Sequence, residues 1–174
     1  MKVVLNEAQL AQTLERLAAQ IAGEVVPDQV CALIGIRRRG VPIAERLAKL
    51  LKEKHGLDCP MGALDITFYR DDLSHVTEQP VVGVTNIPFS VDGRRIYMID
   101  DVLFTGRTIR AGLDALLELG RPAAVRLLAL VDRGNRELPI QADFVGLSVE
   151  TGPADNVRVD IKEVDGSDGI YLEA

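Results

Sequence analysis

The chain has no tryptophan, only two histidines and only two cysteines. His55 and His75 alone argue against a multi-histidine metal centre or a Ser-His-Asp relay. His55 sits just before Gly56, as at a helix C-terminus, and His75 lies in a polar loop. The spacing of Cys31 and Cys59 fits no zinc or redox motif. Cys31 reads as a small core residue in an apolar strand, and Cys59 has no assignable role. No apolar run reaches membrane-spanning length, and Met1 to Glu7 turns acidic too early for a signal peptide. A cytoplasmic protein with no membrane partner is expected. No Gly/Ser/Pro-rich linker divides the 174 residues, so 1–174 is expected to be a single domain. Excess positive charge is also missing. The net charge is −6, which argues against general nucleic-acid affinity. The stretch from Glu150 onward carries −5 of it, leaving the rest nearly neutral.

What is present is an alternation of helical and strand patterns. Asn6 with Gln9 makes a capping box, followed by Leu10, Leu14, Leu17 and Ile21 at helical spacing. Val30 to Ile36 reads as a strand buried on both faces. Arg37-Arg38-Arg39-Gly40 follows, and Pro42 suits the first turn of a helix that Gly56 closes. Met61 to Phe68 reads as another strand. Tyr69 to Asp92 is long, polar and broken by prolines, with an apolar patch at Val81-Val82; such loops are often lids. Arg95 onward is a strand, then comes a helix with Leu113, Leu116 and Leu117 as its stripe. Ala124 to Val131 is a further strand, and short strands are expected near Phe144, Val157 to Val159 and Ile170 to Leu172. This order implies an α/β fold with a mainly parallel sheet flanked by helices. Functional residues should then gather at the carboxyl ends of the strands.

The richest run is Arg95-Ile96-Tyr97-Met98-Ile99-Asp100-Asp101-Val102-Leu103-Phe104-Thr105-Gly106-Arg107-Thr108-Ile109. Two acids end an apolar strand, and a hydroxyl-lined loop opens a helix. Helix N-terminal N–H groups and the helix dipole make such a loop an anion site. Gly106 allows close backbone approach, although Thr105 would also serve as a plain helix cap. The paired carboxylates suit hydroxyls or a hydrated divalent cation. A phosphorylated ribose offers both. Three arginines at 37 to 39 need an anion or solvent, and their planar forks fit phosphate. Gly35 and Gly40 have Walker-A spacing, but Val41 stands where that motif needs Lys, so a P-loop is rejected.

The Asp100 to Thr108 run resembles the PRPP-binding motif of the type I phosphoribosyltransferases. Two further blocks narrow the resemblance: Asp65-Ile66-Thr67-Phe68-Tyr69-Arg70-Asp71-Asp72-Leu73-Ser74, and Leu130-Val131-Asp132-Arg133-Gly134-Asn135-Arg136-Glu137-Leu138-Pro139-Ile140. In this order the three blocks are similar to the PyrR family of pyrimidine operon attenuators and uracil phosphoribosyltransferases. The similarity runs from about Leu5 to Val164.

The resemblance implies a type I phosphoribosyltransferase fold with a flexible lid and a small hood. It implies transfer of phosphoribose from PRPP to uracil, giving UMP and pyrophosphate with Mg²⁺, as in pyrimidine salvage. It also implies binding of pyr leader mRNA when UMP or UTP is present, and a homo-oligomer, dimeric or higher. Asp100 and Asp101 would engage the ribose hydroxyls and, through water or PRPP, the metal. Thr105, Gly106, Arg107 and Thr108 would form the 5-phosphate loop, with Val102, Leu103 and Phe104 also among the substrate-binding residues, and Arg37, Arg38, Arg39 and Gly40 would form the pyrophosphate loop. Arg70 would act from the base of the lid, with catalytic weight. Arg133 and Val157, the latter through its backbone, would line the nucleobase side.

The chain departs from the family pattern mainly on surfaces suited to RNA. Asn135 replaces a His, Gln141 an Arg, and Gly146 to Asp155 lacks the usual basic stretch. Glu15 stands where a neutral residue is common. Arg16 and Arg136 remain as RNA-binding candidates. Arg38 replaces a Thr, adding charge to the pyrophosphate loop. Two competing readings are a phosphoribosyltransferase for orotate or a purine, and a UMP-sensing RNA regulator with little turnover.

Overall fold

The computed structural model describes residues 1–72 and 83–173. The Leu73, Ser74, His75 and Val81-Val82 portions of the expected lid lie outside the described residues.

Chain order is β1 (Lys2–Leu5), α1 (Glu7–Glu24), β2 (Cys31–Ile36), α2 (Gly40–His55) and β3 (Met61–Leu64). A 3-10 turn over Thr67–Tyr69 follows, then β4 (Arg95–Leu103), α3 (Arg107–Glu118), β5 (Ala124–Asp132) and β6 (Phe144–Ser148). β7 (Asn156–Asp160), α4 (Lys162–Asp165) and β8 (Gly169–Glu173) complete it. The main sheet has the order β3-β2-β4-β5-β6, with every pair parallel. A separate antiparallel sheet, β1-β8-β7, forms the hood.

Strand alternation divides the core into two layers, as a sheet covered on both faces requires. Cys31 and Leu33 of β2, with Tyr97 and Ile99 of β4, pack under α1 and α2. Ala32, Ile34, Ile96 and Met98 point the other way, under Ile109, Ala111 and Leu116 of α3. The capping box at Asn6 and Gln9 is present, with both hydrogen bonds at 2.9 Å. Gly56 ends α2 in the left-handed conformation at φ +66°.

Two expected elements differ. The strand starting at Met61 stops at Leu64, not Phe68. Leu64 pairs with Ile36, the last residue of β2, so no ladder remains to extend it. The Asp65 carboxylate then accepts the Thr67 N–H at 2.7 Å and turns the chain. In α3 the buried face is small: Ile109, Ala111, Gly112, Ala115 and Leu116, while Leu117 is exposed. A Cβ on Gly112 would lie 3.2 Å from the side-chain ends of Ile36 and Met98, which would have to give way, so the small residue lets α3 sit close on the sheet.

From β2 the chain crosses to β3 on one side, while β4 lies on the other. The carboxyl ends of β2 and β4 therefore flank a topological switch point, where an α/β sheet leaves a crevice open.

Candidate active site

That crevice is a cleft of about 900 Å³, lined by Arg37, Arg38, Arg39, Asp65, Ile66, Thr67, Arg70, Asp71, Asp72, Gly83, Asp100, Asp101, Val102, Thr105, Arg107 and Thr108. Three segments far apart in sequence meet there: the arginine loop after β2, the acid pair in β4 and the loop entering α3.

The arginine loop is held close by two glycines. A Cβ on Gly35 would collide with the Gly40 carbonyl, and one on Gly40 would collide with the Ile99 carbonyl beside Asp100. Gly40 is buried and does not line the cleft; it lets α2 start directly against β4. Arg37 donates to the Val84 carbonyl at 2.6 Å. Arg39 forms a two-pronged pair with Asp165 of α4 at 2.8 and 3.0 Å. Arg38 has no hydrogen bond or ion pair among the described residues, so its guanidinium is the readiest for an anion.

Asp100 and Asp101 continue β4 and do not end it; the strand runs on to Leu103. Asp100 is 5% exposed. Burial, reinforced by the neighbouring Asp101 charge, holds its carboxyl well above the usual range. Its Oδ1 accepts the Asp101 N–H, and Asp101 Oδ1 accepts the Val102 N–H, both at 2.9 Å. Each carboxylate is thus oriented by the backbone of its successor.

At α3 the cap is Gly106, at φ +92°, and not Thr105. Thr105 Oγ1 accepts only the Arg107 N–H, at 3.2 Å. No side chain caps the helix and no acid sits in its first turn. Its leading N–H groups keep their capacity for an anion. Arg107 reaches across to Asp71 and Glu137, both at 2.6 Å, and the two carboxylates raise its affinity for the proton. Arg70 pairs with Asp72 at 2.5 Å. Five arginines and five aspartates line the cleft, so its charge is balanced and an entering polyanion exchanges for carboxylates.

Leu103, Phe104, Gly106, Arg133 and Val157 do not line this cleft. Leu103 is core, and Phe104 carries the Arg133 guanidinium 3.9 Å above its ring. Arg133, 6% exposed, also donates to the Asp155 carbonyl at 2.6 Å and the Gly152 carbonyl at 3.3 Å. It fastens the 151–155 segment to β5. Asn135, at φ +61°, donates to the Thr151 carbonyl at 3.0 Å in the same brace. Val157 belongs to β7 of the hood and is buried in the core layer under α1 and α2. Of the RNA candidates, Arg16 donates to the Gly146 carbonyl at 2.5 Å. Arg136 donates to the Ile140 and Phe104 carbonyls and to Asp132, at 2.7, 3.0 and 2.6 Å. The expected lid is pinned at its far end, where Asn86 and Ala63 exchange both backbone hydrogen bonds at 2.8 Å.

Sequence reasoning carried only Arg70 forward from the Asp65 block, whereas Asp65, Ile66, Thr67, Asp71 and Asp72 also line the cleft. It missed Asp165 altogether, because an ion pair spanning 126 positions leaves no local pattern.

No group of three or more His, Cys, Asp or Glu suited to a metal occurs among the described residues. The acid pair alone offers too few ligands for a protein-enclosed cation. It does fit Mg²⁺, which is commonly held by one or two carboxylates together with substrate phosphates and water.

Fold and cleft together define a phosphoribosyltransferase of type I. The Phosphoribosyl transferase domain family matches residues 2–163. Among solved structures, the hypoxanthine phosphoribosyltransferase of Trypanosoma cruzi superimposes with TM-score 0.72 at 17% identity, covering 99% of this chain and 95% of that one. A Staphylococcus aureus hypoxanthine phosphoribosyltransferase gives TM-score 0.70 at 19% identity, covering 95% and 87%. At such identities the likeness is one of fold. Sequence relatives are far nearer. "Bifunctional protein PyrR" of Deinococcus deserti is 48% identical over 97% of this chain and 92% of its own length. That of Elusimicrobium minutum is 49% identical over 98% and 96%, and that of Thermus thermophilus is 47% identical over 97% and 93%. The chain belongs to the PyrR family.

Proposed function

We propose that the chain transfers phosphoribose from PRPP to uracil, giving UMP and pyrophosphate. The observation that carries this is the meeting of an uncapped helix N-terminus, a buried acid pair and an arginine loop in one cleft. The α3 entry, with Thr105, Arg107 and Thr108 around the Gly106 turn, takes the 5-phosphate on backbone N–H groups and hydroxyls. Asp100 and Asp101 accept hydrogen bonds from the ribose hydroxyls. Arg37, Arg38 and Arg39, which line the same cleft, take the departing pyrophosphate. The reaction breaks the bond from ribose C1 to pyrophosphate as uracil N1 attacks, and positive charge builds on the ring. Arg37 and Arg39, held before the reaction by the Val84 carbonyl and Asp165, stabilise the departing negative charge with little reorganisation, and Arg38 is the side chain left to close on it. The 5-phosphate contacts supply binding energy remote from the reacting carbon. Mg²⁺, held by Asp100 and Asp101 jointly with PRPP, would neutralise phosphate charge.

The same reading includes the second role that the relatives' name suggests, uridine-nucleotide-dependent binding of pyr leader mRNA, and assembly as a homo-oligomer. No helix among the described residues is long and apolar enough to cross a membrane.

Two assays test the proposal. Asp100→Asn combined with Asp101→Asn should abolish UMP formation from PRPP, uracil and Mg²⁺; unchanged turnover would sink the assignment. A panel of uracil, orotate and hypoxanthine should favour uracil, and turnover of another base in its place would move the chain to a different specificity. For the regulatory role, UMP should tighten binding of a pyr leader hairpin over an unrelated RNA, and equal binding of both would remove it.

A further inference from the structure

Cys31 and Cys59 lie far from the phosphoribosyl cleft, at the opposite ends of the strands. Cys31 opens β2, and Cys59 belongs to the connection from α2 to β3. Their sulfurs are 2.9 Å apart, inside van der Waals contact, and both residues are free thiols. The backbone fixes this approach. Leu33 donates to the Pro60 carbonyl at 2.9 Å, and the β2–β3 ladder starts at Leu33 and Met61. A disulfide requires about 2.05 Å between sulfurs, so a contraction below about 1 Å suffices. Both thiols are nearly buried, but they line a second cleft, of about 340 Å³, with Pro27, Gln29 and Arg94. A small oxidant can therefore enter. The pair is also chemically unequal. The thiol–thiol contact, helped by the charges of Arg94 and Arg95, holds the Cys31 thiol down to about 7, while the same contact and burial push Cys59 up. Cys31 thus carries thiolate near neutral pH, as an attacking thiol must.

We propose that Cys31 and Cys59 are a redox-modification site, closing reversibly to an intramolecular disulfide on reaction with a small hydroperoxide. The Cys31 thiolate attacks the peroxide; an S–O bond forms and the O–O bond breaks. The leaving oxygen takes a proton and departs as water or alcohol, leaving Cys31 a sulfenic acid. Cys59, deprotonated to solvent, then attacks the Cys31 sulfur, and the S–O bond breaks to release water. Overall, two thiols and one hydroperoxide give one disulfide, one alcohol or water, and one further water. A dithiol reductant restores both thiols by exchange. The bond fastens β2, whose far end carries Arg37 to Arg39, to the α2–β3 connection.

The test is hydrogen peroxide treatment of the full chain, then alkylation in denaturant and intact-mass measurement. Oxidised protein should be lighter by two hydrogens and take no alkyl group, and dithiothreitol should restore two alkylations. Its Tm should rise by roughly 5–10 °C, as expected for one unstrained cross-link in a domain of this size. In Cys59→Ser, Cys31 should stop at the sulfenic acid and gain one oxygen. In Cys31→Ser, Cys59 should stay reduced. Two alkylatable thiols after oxidation of the parent protein, or a disulfide only between chains, would overturn the proposal.

Discussion

Asp100 is a carboxylate placed where the fold disfavours its charge. It is 5% exposed with Asp101 beside it, and neither burial nor a like charge favours ionisation. Such a group persists where a ligand needs it. Asp100→Asn keeps the shape and removes the charge, so its Tm should be at least that of the parent. Its kcat/KM for PRPP should fall about tenfold to a hundredfold, the loss of one charge-assisted hydrogen bond. A lower Tm with full activity would reverse this assignment. Gly40 makes a different residue-scale case, since its value is the absence of a Cβ against the Ile99 carbonyl. Gly40→Ala should push the arginine loop away from Asp100, cost roughly 1–3 kcal/mol in urea unfolding and raise the KM for PRPP. The acid pair and the Thr-Gly-Arg-Thr loop are legible in the sequence because each is contiguous. The spacing role of Gly40 is not, because its neighbour across the gap is in another strand. The thiol pair is hidden for the same reason: 28 positions separate residues that the β2–β3 pairing brings into contact.

At the scale of elements, the hood is clamped to α2 and to the arginine loop by carboxylates from α4 and the turn after it. Arg46 of α2 pairs with Glu163 at 2.5 Å and Asp168 at 2.8 Å, and Arg39 pairs with Asp165 at 2.8 Å. Arg46 holds Glu163 below the usual carboxylate range, and Arg39 does the same for Asp165. Burial alone would raise Asp168, but its bonds from Arg46 and from the Lys162 N–H outweigh this and leave it lowered. An acid whose folded pKa is depressed contributes stability above its unfolded pKa, near 4, and loses it as pH falls through the folded value. Unfolding free energy should therefore drop below about pH 4, and the drop should be shallower in Arg46→Gln. At pH 7 the same variant should lose roughly 1–3 kcal/mol, because Asp168, 11% exposed, loses both hydrogen bonds from Arg46 and keeps only the one from the Lys162 N–H. A variant as acid-labile as the parent would show that the clamp is not a stabilising element. Element identity was mostly readable from periodicity and caps, as at Asn6 and Gly56. The overlong strand beyond Leu64 shows the limit. A strand-prone run such as Ile66-Thr67-Phe68 cannot reveal that its neighbouring strand has already ended.

For the whole molecule, charge and contacts bear on RNA together. Nearly all the net negative charge belongs to the stretch from Glu150 onward, which builds the hood. Under the proposed regulatory role, a leader RNA would therefore bind away from it. The two arginines that stand out in the sequence as RNA candidates are already engaged. Arg136 spends its donors on two carbonyls and Asp132, and Arg16 on the carbonyls at the middle of β6. Both brace the fold first, so any phosphate contact would have to share their N–H groups. Each phosphate contact to a single strand contributes about −0.7 to the slope of log K against log salt. Arg16→Ala should lower the Tm, since α1 loses its tie to β6, and should leave that slope unchanged in titrations of a pyr leader hairpin with UMP. A slope shallower by about 0.7 with an unchanged Tm would instead make Arg16 a phosphate ligand. The measurement thus separates an arginine that shapes an RNA-binding surface from one that touches RNA, a distinction that net charge cannot make.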